Sequence, residues 1–303
     1  MAIHELPVGT LLSSGDYEIK ETIGRGGFGI TYKAIDRSLG NLVAIKEYAP
    51  EDFAERANAS ISKDIIPFPK SAEEYVWGLD RFREEGRTLA RFGNSPSIVS
   101  VLRIFDENET AYLVMEFIDG PHMGDFIEGK NLSEYSKTIT SPSQVENLLA
   151  ALRRDLGEMH EAGFIHRDLK PENILIRATN NEPVLIDFGS SRQQSADRTM
   201  ALVTPYYSPV EQYASDTPHG PYTDIYSLSA TFYRVITGKT PPDSPSRILD
   251  DQCKKLSGDP AFSGYSADFL AQIDAGMSPL PANRPQNVDE WRQVRVGDAQ
   301  KQA

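Results

Sequence analysis

The stretch between His166 and Gly189 constrains this chain more than any other. It reads His166-Arg167-Asp168-Leu169-Lys170-Pro171-Glu172-Asn173, and ends at Asp187-Phe188-Gly189. Between these lie two short apolar runs, Ile174-Leu175-Ile176 and Val184-Leu185-Ile186. Apolar runs of that length read as buried strands of a hairpin, with Asn180-Asn181-Glu182-Pro183 as the turn. A hairpin decides where its ends lie. Asp168 and Asn173 then share one loop, and Asp187 arrives beside them at the strand end. The set offers one carboxylate to hold an attacking hydroxyl. It also offers an amide and a second carboxylate, Asn173 and Asp187, to hold Mg²⁺ (or Mn²⁺), a hard cation that prefers oxygen ligands. Phosphoryl transfer needs these parts.

An isolated Asp is usually a turn or cap residue. Here eight consecutive residues and the spaced Asp-Phe-Gly follow the pattern H-R-D-L-x-x-x-N with D-F-G. On these residues the chain resembles the eukaryotic-type serine/threonine protein kinases, and its Lys46-Glu47-Tyr48 insertion is similar to that of some bacterial members. The resemblance covers about residues 15–294. It implies an α+β, two-lobed fold. The N-lobe is a small antiparallel sheet with one main helix, and the C-lobe is larger and mainly helical. The expected divisions are an arm over 1–13, the N-lobe over 14–117, the C-lobe over 118–295 and a tail over 296–303.

Composition narrows the alternatives. With 303 residues, 25% of them charged and 39% hydrophobic, the chain suits one two-lobed catalytic domain. The net charge of −13 argues against a general nucleic-acid binder. A single cysteine, Cys253, cannot form an internal disulfide, so a reducing, cytoplasmic setting is expected. No signal peptide and no membrane-spanning run is expected within the sequence; a longer parent protein would have room for an anchor beyond Ala303.

The remaining motifs come in order. Gly24-Arg25-Gly26-Gly27-Phe28-Gly29 is weak alone, because dinucleotide folds use it to open a helix. Here Ile30 to Ile35, a turn at Ser38–Asn41 and Leu42 to Lys46 follow, so it reads as a hairpin that approaches phosphates through backbone amides. The resemblance implies ATP contacts from Ile23, Gly24, Gly26, Gly29, Thr31, Ala44, Lys46, Met115, Glu116, Ile118, Leu175 and Asp187. Thr31 departs from the usual valine. Val43-Ala44-Ile45-Lys46 matches the strand whose lysine holds the α- and β-phosphates and pairs with a helix glutamate. Glu85 is that partner by resemblance; Glu84 reads as a solvated charge. Ser71-Ala72-Glu73-Glu74 reads as a capping box opening this helix, with Val76, Leu79, Phe82 and Leu89 as its apolar face. Gly78 and Gly86 each cost ~1 kcal/mol against Ala, which predicts a marginally held helix and a switchable Lys46–Glu85 pair. The stretch from Glu47 to about Lys70 is longer than usual and reads as a surface loop, with docking or regulation as the alternative.

Strands are expected over Ile98–Phe105 and Ala111–Phe117. Glu116 to Gly120 then resembles the hinge, where backbone groups of Glu116 and Ile118 would meet adenine behind a Met115 gatekeeper. Pro142 to Ala162 is an amphipathic helix closed by Gly163. The resemblance makes Asp168 the base that orients the acceptor hydroxyl and Lys170 the cation that offsets charge on the transferring phosphoryl. It implies that Thr204 meets both, that Glu211 pairs with a buried Arg284, and that Asp224 braces the catalytic loop. Ser195 and Thr199 are the expected autophosphorylation sites in an activation loop over Ser190–Tyr207, with Arg167 to meet the phosphate. Further helices are expected around 244–256, 266–277 and 287–294.

The implied activity is transfer of the ATP γ-phosphoryl group to Ser or Thr hydroxyls of protein substrates. A pseudokinase scaffold is the second reading, opposed by the presence of Lys46, Asp168, Asn173 and Asp187. A small-molecule phosphotransferase is the third, opposed by Glu211 and Arg284. The oligomeric state has no signature in the sequence.

Overall fold

The computed structural model describes residues 4–56, 62–127, 141–188, 192–193, 203–214 and 217–297. The backbone divides into two units, Met1–Ile118 and Asp119–Ala303, one residue beyond the expected division.

The first unit is built on an antiparallel six-stranded sheet. In chain order its strands are β1 (Leu11–Leu12), β2 (Tyr17–Gly26), β3 (Gly29–Asp36) and β4 (Leu42–Tyr48). A separate two-stranded pair follows, β5 (Ala54–Glu55) with β6 (Ile66–Pro67). Helix α1 (Ala72–Leu89) comes next, and β7 (Val101–Glu107) and β8 (Thr110–Glu116) complete the sheet. The strand order is β1-β2-β3-β4-β8-β7. The glycine stretch joins β2 to β3 as a hairpin, with Gly26 opposite Gly29, and not as a helix start.

In β8 every residue from Thr110 to Met115 is buried, so both faces of the central sheet are covered. Helix α1 lies on one face. The other cover is what sequence reading missed. Within the stretch after Lys46, Ala54, Arg56 and Ile65 are fully buried, so this is a packed cover and not a plain surface loop. The expected arm is also packed. Leu6 is buried, and the His4 amide donates to the Arg56 carbonyl at 3.1 Å.

Helix α1 departs from expectation in three ways. Ser71 makes no side-chain cap, so the capping box is absent. The buried stripe is Tyr75, Leu79, Phe82, Gly86 and Leu89, while Val76 is 55% exposed. Tyr75 takes the inner place because its ring packs 5.3 Å from Tyr48 and its hydroxyl donates to the Glu109 carbonyl at 2.9 Å. The glycines are sites of close approach. A Cβ on Gly78 would lie 2.1 Å from the Tyr48 hydroxyl, and one on Gly86 would lie 2.7 Å from Ile104 and from Leu113. The propensity cost is therefore offset by packing, and marginal hold of α1 does not follow from its glycines.

The second unit opens with α2 (Met123–Ile127) and α3 (Pro142–Glu161). Helix α3 has a capping box between Ser141 and Gln144, and it buries Val145, Leu148, Leu149, Leu152, Leu156 and Met159, in keeping with the amphipathic helix expected there. Short strands follow: β9 (Phe164–Ile165), β10 (Ile174–Ile176), β11 (Pro183–Leu185) and β12 (Arg192–Gln193). β10 pairs with β11 in the expected hairpin, and β12 pairs with β9. Helix α4 (Pro221–Thr237) is buried at every residue from Thr223 to Tyr233, so it forms the axis of the unit. α5 (Ser244–Leu249), α6 (Ala267–Gly276) and α7 (Val288–Gln293) complete it; α5 ends well short of the expected 256. Among the described residues no helix is long and apolar enough to cross a membrane.

Gly78→Ala tests the reading of α1. Helix propensity alone predicts a gain of ~1 kcal/mol. The Tyr48 contact predicts instead a net loss of about 1–3 kcal/mol, as in overpacked cores. Urea denaturation decides the sign.

Candidate active site

Each unit assembles its own group of chemical side chains. In the first unit, Lys46 ends the apolar part of β4, and its ammonium lies 3.3 Å from the Glu85 carboxylate on α1. Both side chains are largely buried, so the attraction is less screened than at a surface. The Lys46 ammonium also lies 5.9 Å from the Phe82 ring. Glu84 pairs with Arg81 in solvent, as expected of the bystander. Register puts Thr31 opposite Lys46, Gly24 opposite Thr31, and Ala44 opposite Met115. Ile23 is exposed near the glycine hairpin. The Glu116 amide donates to the Ser100 carbonyl at 3.0 Å, and its carboxylate accepts from the Ser100 amide at 2.9 Å. Ile118, the last residue of this unit, is buried.

In the second unit, Asp168 is gripped on both carboxylate oxygens. Oδ1 accepts from the Thr204 hydroxyl at 2.7 Å. Oδ2 accepts from the Lys170 ammonium at 2.7 Å and from the Asn173 amide at 2.9 Å. Asn173 donates also to the Asp168 carbonyl at 2.8 Å, so its own Oδ1 is the atom left for a cation. The Ile186 amide donates to the Asn173 carbonyl at 3.1 Å, which sets Asp187 one residue away from that bond. Leu175 sits between them in β10, opposite Val184. Asp168, Lys170, Asn173, Asp187 and Thr204 thus come together.

The loop is strained and held. Arg167 has φ of +70°, a left-handed conformation unusual outside glycine. Its amide donates to Asp224 Oδ1 at 2.7 Å, and the His166 amide donates to Asp224 Oδ2 at 2.8 Å. The Arg167 carbonyl accepts from the Gln212 amide at 2.7 Å. Asp224 is fully buried in α4, and burial by itself would raise its pKa. The His160 hydrogen bond at 2.8 Å, the two histidine side chains and the loop amides outweigh that and hold it below 3.8. Burial holds the His166 imidazole below 6.5, against the pull of the Asp224, Asp168 and Asp187 carboxylates. Its ring packs 4.5 Å from Phe188.

Glu211 and Arg284 form a buried pair at 2.7 and 3.1 Å, two parallel bonds. The Thr223 hydroxyl adds a third bond to Glu211 at 3.1 Å. Sequence reasoning missed His160 and Gln212, whose only local signature is a polar residue at the margin of an apolar pattern. Ser190, Ser195 and Thr199 lie outside the described residues.

Two outcomes follow. Unfolded chain binds a proton on His166 near pH 6.5, while the fold keeps that ring neutral, so stability must fall as pH drops below 6.5. His219, which burial also lowers, adds in the same direction. Asp224 contributes stability above 3.8 and loses it as pH falls further. Urea midpoints from pH 8 to 5 should decline in the wild type and decline less in His166→Gln. Separately, Glu211→Gln should cost ~3–5 kcal/mol by leaving Arg284 buried and unpaired, with a smaller loss in the double variant Glu211→Gln, Arg284→Met; chemical denaturation of the three proteins checks it.

Comparison with known proteins agrees with this geometry. Residues 17–268 match the family described as protein kinase domain. The chain is 32% identical over 271 residues to serine/threonine-protein kinase C of Synechocystis sp., covering 86% of this chain and 46% of the relative. It is 30% identical over 293 residues to serine/threonine-protein kinase PknB of Mycobacterium tuberculosis, covering 92% and 42%. The solved structure titled PpkA-294 apo form superposes with a TM-score of 0.78 at 34% identity, covering 95% of this chain and 98% of that one. The chain spans less than half the length of these two curated relatives. By the family match, the shared fold and the catalytic-loop residues together, this chain belongs to the protein kinase domain family.

Proposed function

We propose that the chain transfers the γ-phosphoryl group of ATP to Ser or Thr hydroxyls of proteins. The observation that carries this reading is the threefold grip on Asp168 by Thr204, Lys170 and Asn173. It fixes both carboxylate oxygens in place, as a base that orients a hydroxyl requires. The names of the curated relatives support serine/threonine specificity. All four side chains whose loss would mark a pseudokinase are in place.

Members of this family use ATP and a divalent metal in general. In this chain Asn173 Oδ1 and Asp187 are the oxygens that would hold Mg²⁺, and the ion supplies charge neutralisation at the phosphates. Among the described residues no group of three His, Cys, Asp or Glu side chains can hold a metal by itself. A two-ligand oxygen site completed by phosphates and water is the arrangement Mg²⁺ favours. Lys46, set by Glu85, would grip the α- and β-phosphates, and the glycine hairpin would cover them through its amides. Lys170 would offset charge on the moving phosphoryl. Turnover of 1–100 s⁻¹, common in kinases, leaves a barrier of roughly 15–17 kcal/mol. Most of the acceleration then comes from orientation and fixed charge. Phosphorylation at Ser195 or Thr199, protein substrates and a cytoplasmic location belong to the same proposal.

The test is transfer from labelled MgATP to the chain itself and to a generic protein acceptor, with small hydroxyl and amine acceptors alongside. Label should appear on Ser or Thr. Asp168→Asn should lower it by roughly a thousandfold, within the span seen for general bases, while MgADP binding persists. Nucleotide binding without transfer would favour the scaffold reading.

A further inference from the structure

The stretch after Lys46 does more than cover the sheet. Successive residues of β4 point to opposite faces. Lys46 reaches α1, while Glu47, its neighbour, is buried on the other face with 0% exposure. Three side chains converge on its carboxylate. Arg56, 1% exposed, donates to Glu47 Oε2 at 3.1 Å through one guanidinium nitrogen and to Oε1 through the other. The Tyr32 hydroxyl donates to Oε2 at 2.9 Å, and the Tyr112 hydroxyl to Oε1 at 2.6 Å. Arg56 itself is fastened by the Lys63 carbonyl at 2.7 Å and the His4 carbonyl at 3.0 Å. The Leu6 amide closes the network on the Tyr32 hydroxyl at 3.1 Å. Burial and the Glu47 charge push the phenol pKa values of Tyr32 and Tyr112 up, so both remain donors.

Glu47 also carries the glycine hairpin. Gly29 pairs with Tyr48, and a Cβ there would lie 2.0 Å from the Glu47 carbonyl oxygen. The Ala49 amide donates to the Phe28 carbonyl at 3.1 Å. The Arg25 guanidinium in the hairpin reaches Glu51 at 2.8 Å. The backbone of residues 47–49 is therefore the floor of the hairpin and the continuation of Lys46.

We propose that Arg56 is a positioning residue for nucleotide phosphates: by holding Glu47 from the outer face of the sheet, it sets Lys46 and the glycine hairpin together. The physical reason is the cost of a buried, unpaired carboxylate. Without Arg56, the end of β4 moves to rehydrate Glu47, and Lys46 moves with it. The proposal rests on the reading of Lys46 and the hairpin as a phosphate site. Adenosine, which has no phosphates, should not sense the change.

The experiment is calorimetry of the full chain with MgADP and with adenosine. Arg56→Met should weaken MgADP by roughly ten- to a hundredfold, the scale that misplaced binding groups produce, and leave adenosine unchanged. Arg56→Lys should recover part of the loss. Tyr112→Phe removes one bond to Glu47 and keeps the ring in the core, so it stands in if Arg56→Met does not fold. It should show a smaller loss, again confined to MgADP. Unaltered MgADP affinity in the folded variants, or equal loss for both ligands, overturns the assignment. A wild-type chain that binds adenosine but not MgADP would remove the phosphate-site reading beneath it.

Discussion

The second unit depends on one buried carboxylate. Asp224 sits in the helix that forms the axis of the unit, and its two oxygens receive the amides of His166 and Arg167. A lone charge there would be expelled or protonated. The His160 bond and the two amides make the charged form the stable one, so the carboxylate and the loop hold each other. The loop can then keep Arg167 at a positive φ. Strain of this kind persists only where surrounding structure over-determines it, and here Gln212 adds a further tie at the Arg167 carbonyl. Asp168 follows directly in the chain. Its orientation is a consequence of a brace in the next helix of the chain.

The first unit solves a similar problem in another way. A strand that must present a lysine on one face has to do something with the residue beside it. Here that residue is a glutamate, buried and matched by Arg56 and two tyrosines. The result is a sheet with a helix on one side and a wired polar cover on the other. Such networks are costly when incomplete and rigid when satisfied. Both oxygens of Glu47 are satisfied, so rigidity is the expected outcome. Helix α1 is held by the same logic of close contact: Gly78 and Gly86 let it approach Tyr48, Ile104 and Leu113.

The legible parts of the sequence were those in which chemistry is local. His166 to Asn173, Asp187 to Gly189, and Val43 to Lys46 are each contiguous, and their residue types follow the motifs of one family. The hairpin β10–β11 and the buried face of α3 followed from apolar patterning alone. Errors arose where a partner far along the chain decided the outcome. Tyr75 displaced Val76 from the core because Tyr48 and the Glu109 carbonyl await it. The glycines of α1 looked like weakness because propensity counts one helix at a time. Ser71 fitted a capping pattern and yet makes no cap.

By itself, then, the order of residues determined the family, the two-part α+β plan and the set of side chains proposed for the site. These follow from motif chemistry and from the period of the apolar residues, which are properties of short stretches. Only the tertiary structure decided that residues 47–56 form an inner layer and not a surface loop. It alone decided that His160 and Gln212 serve the catalytic loop, and that α1 is packed through its glycines. Each of these depends on burial, and burial is set by what arrives from elsewhere in the chain. A charged Glu47 or Arg56 reads as solvent-exposed until the other is found against it, nine residues away and fully desolvated.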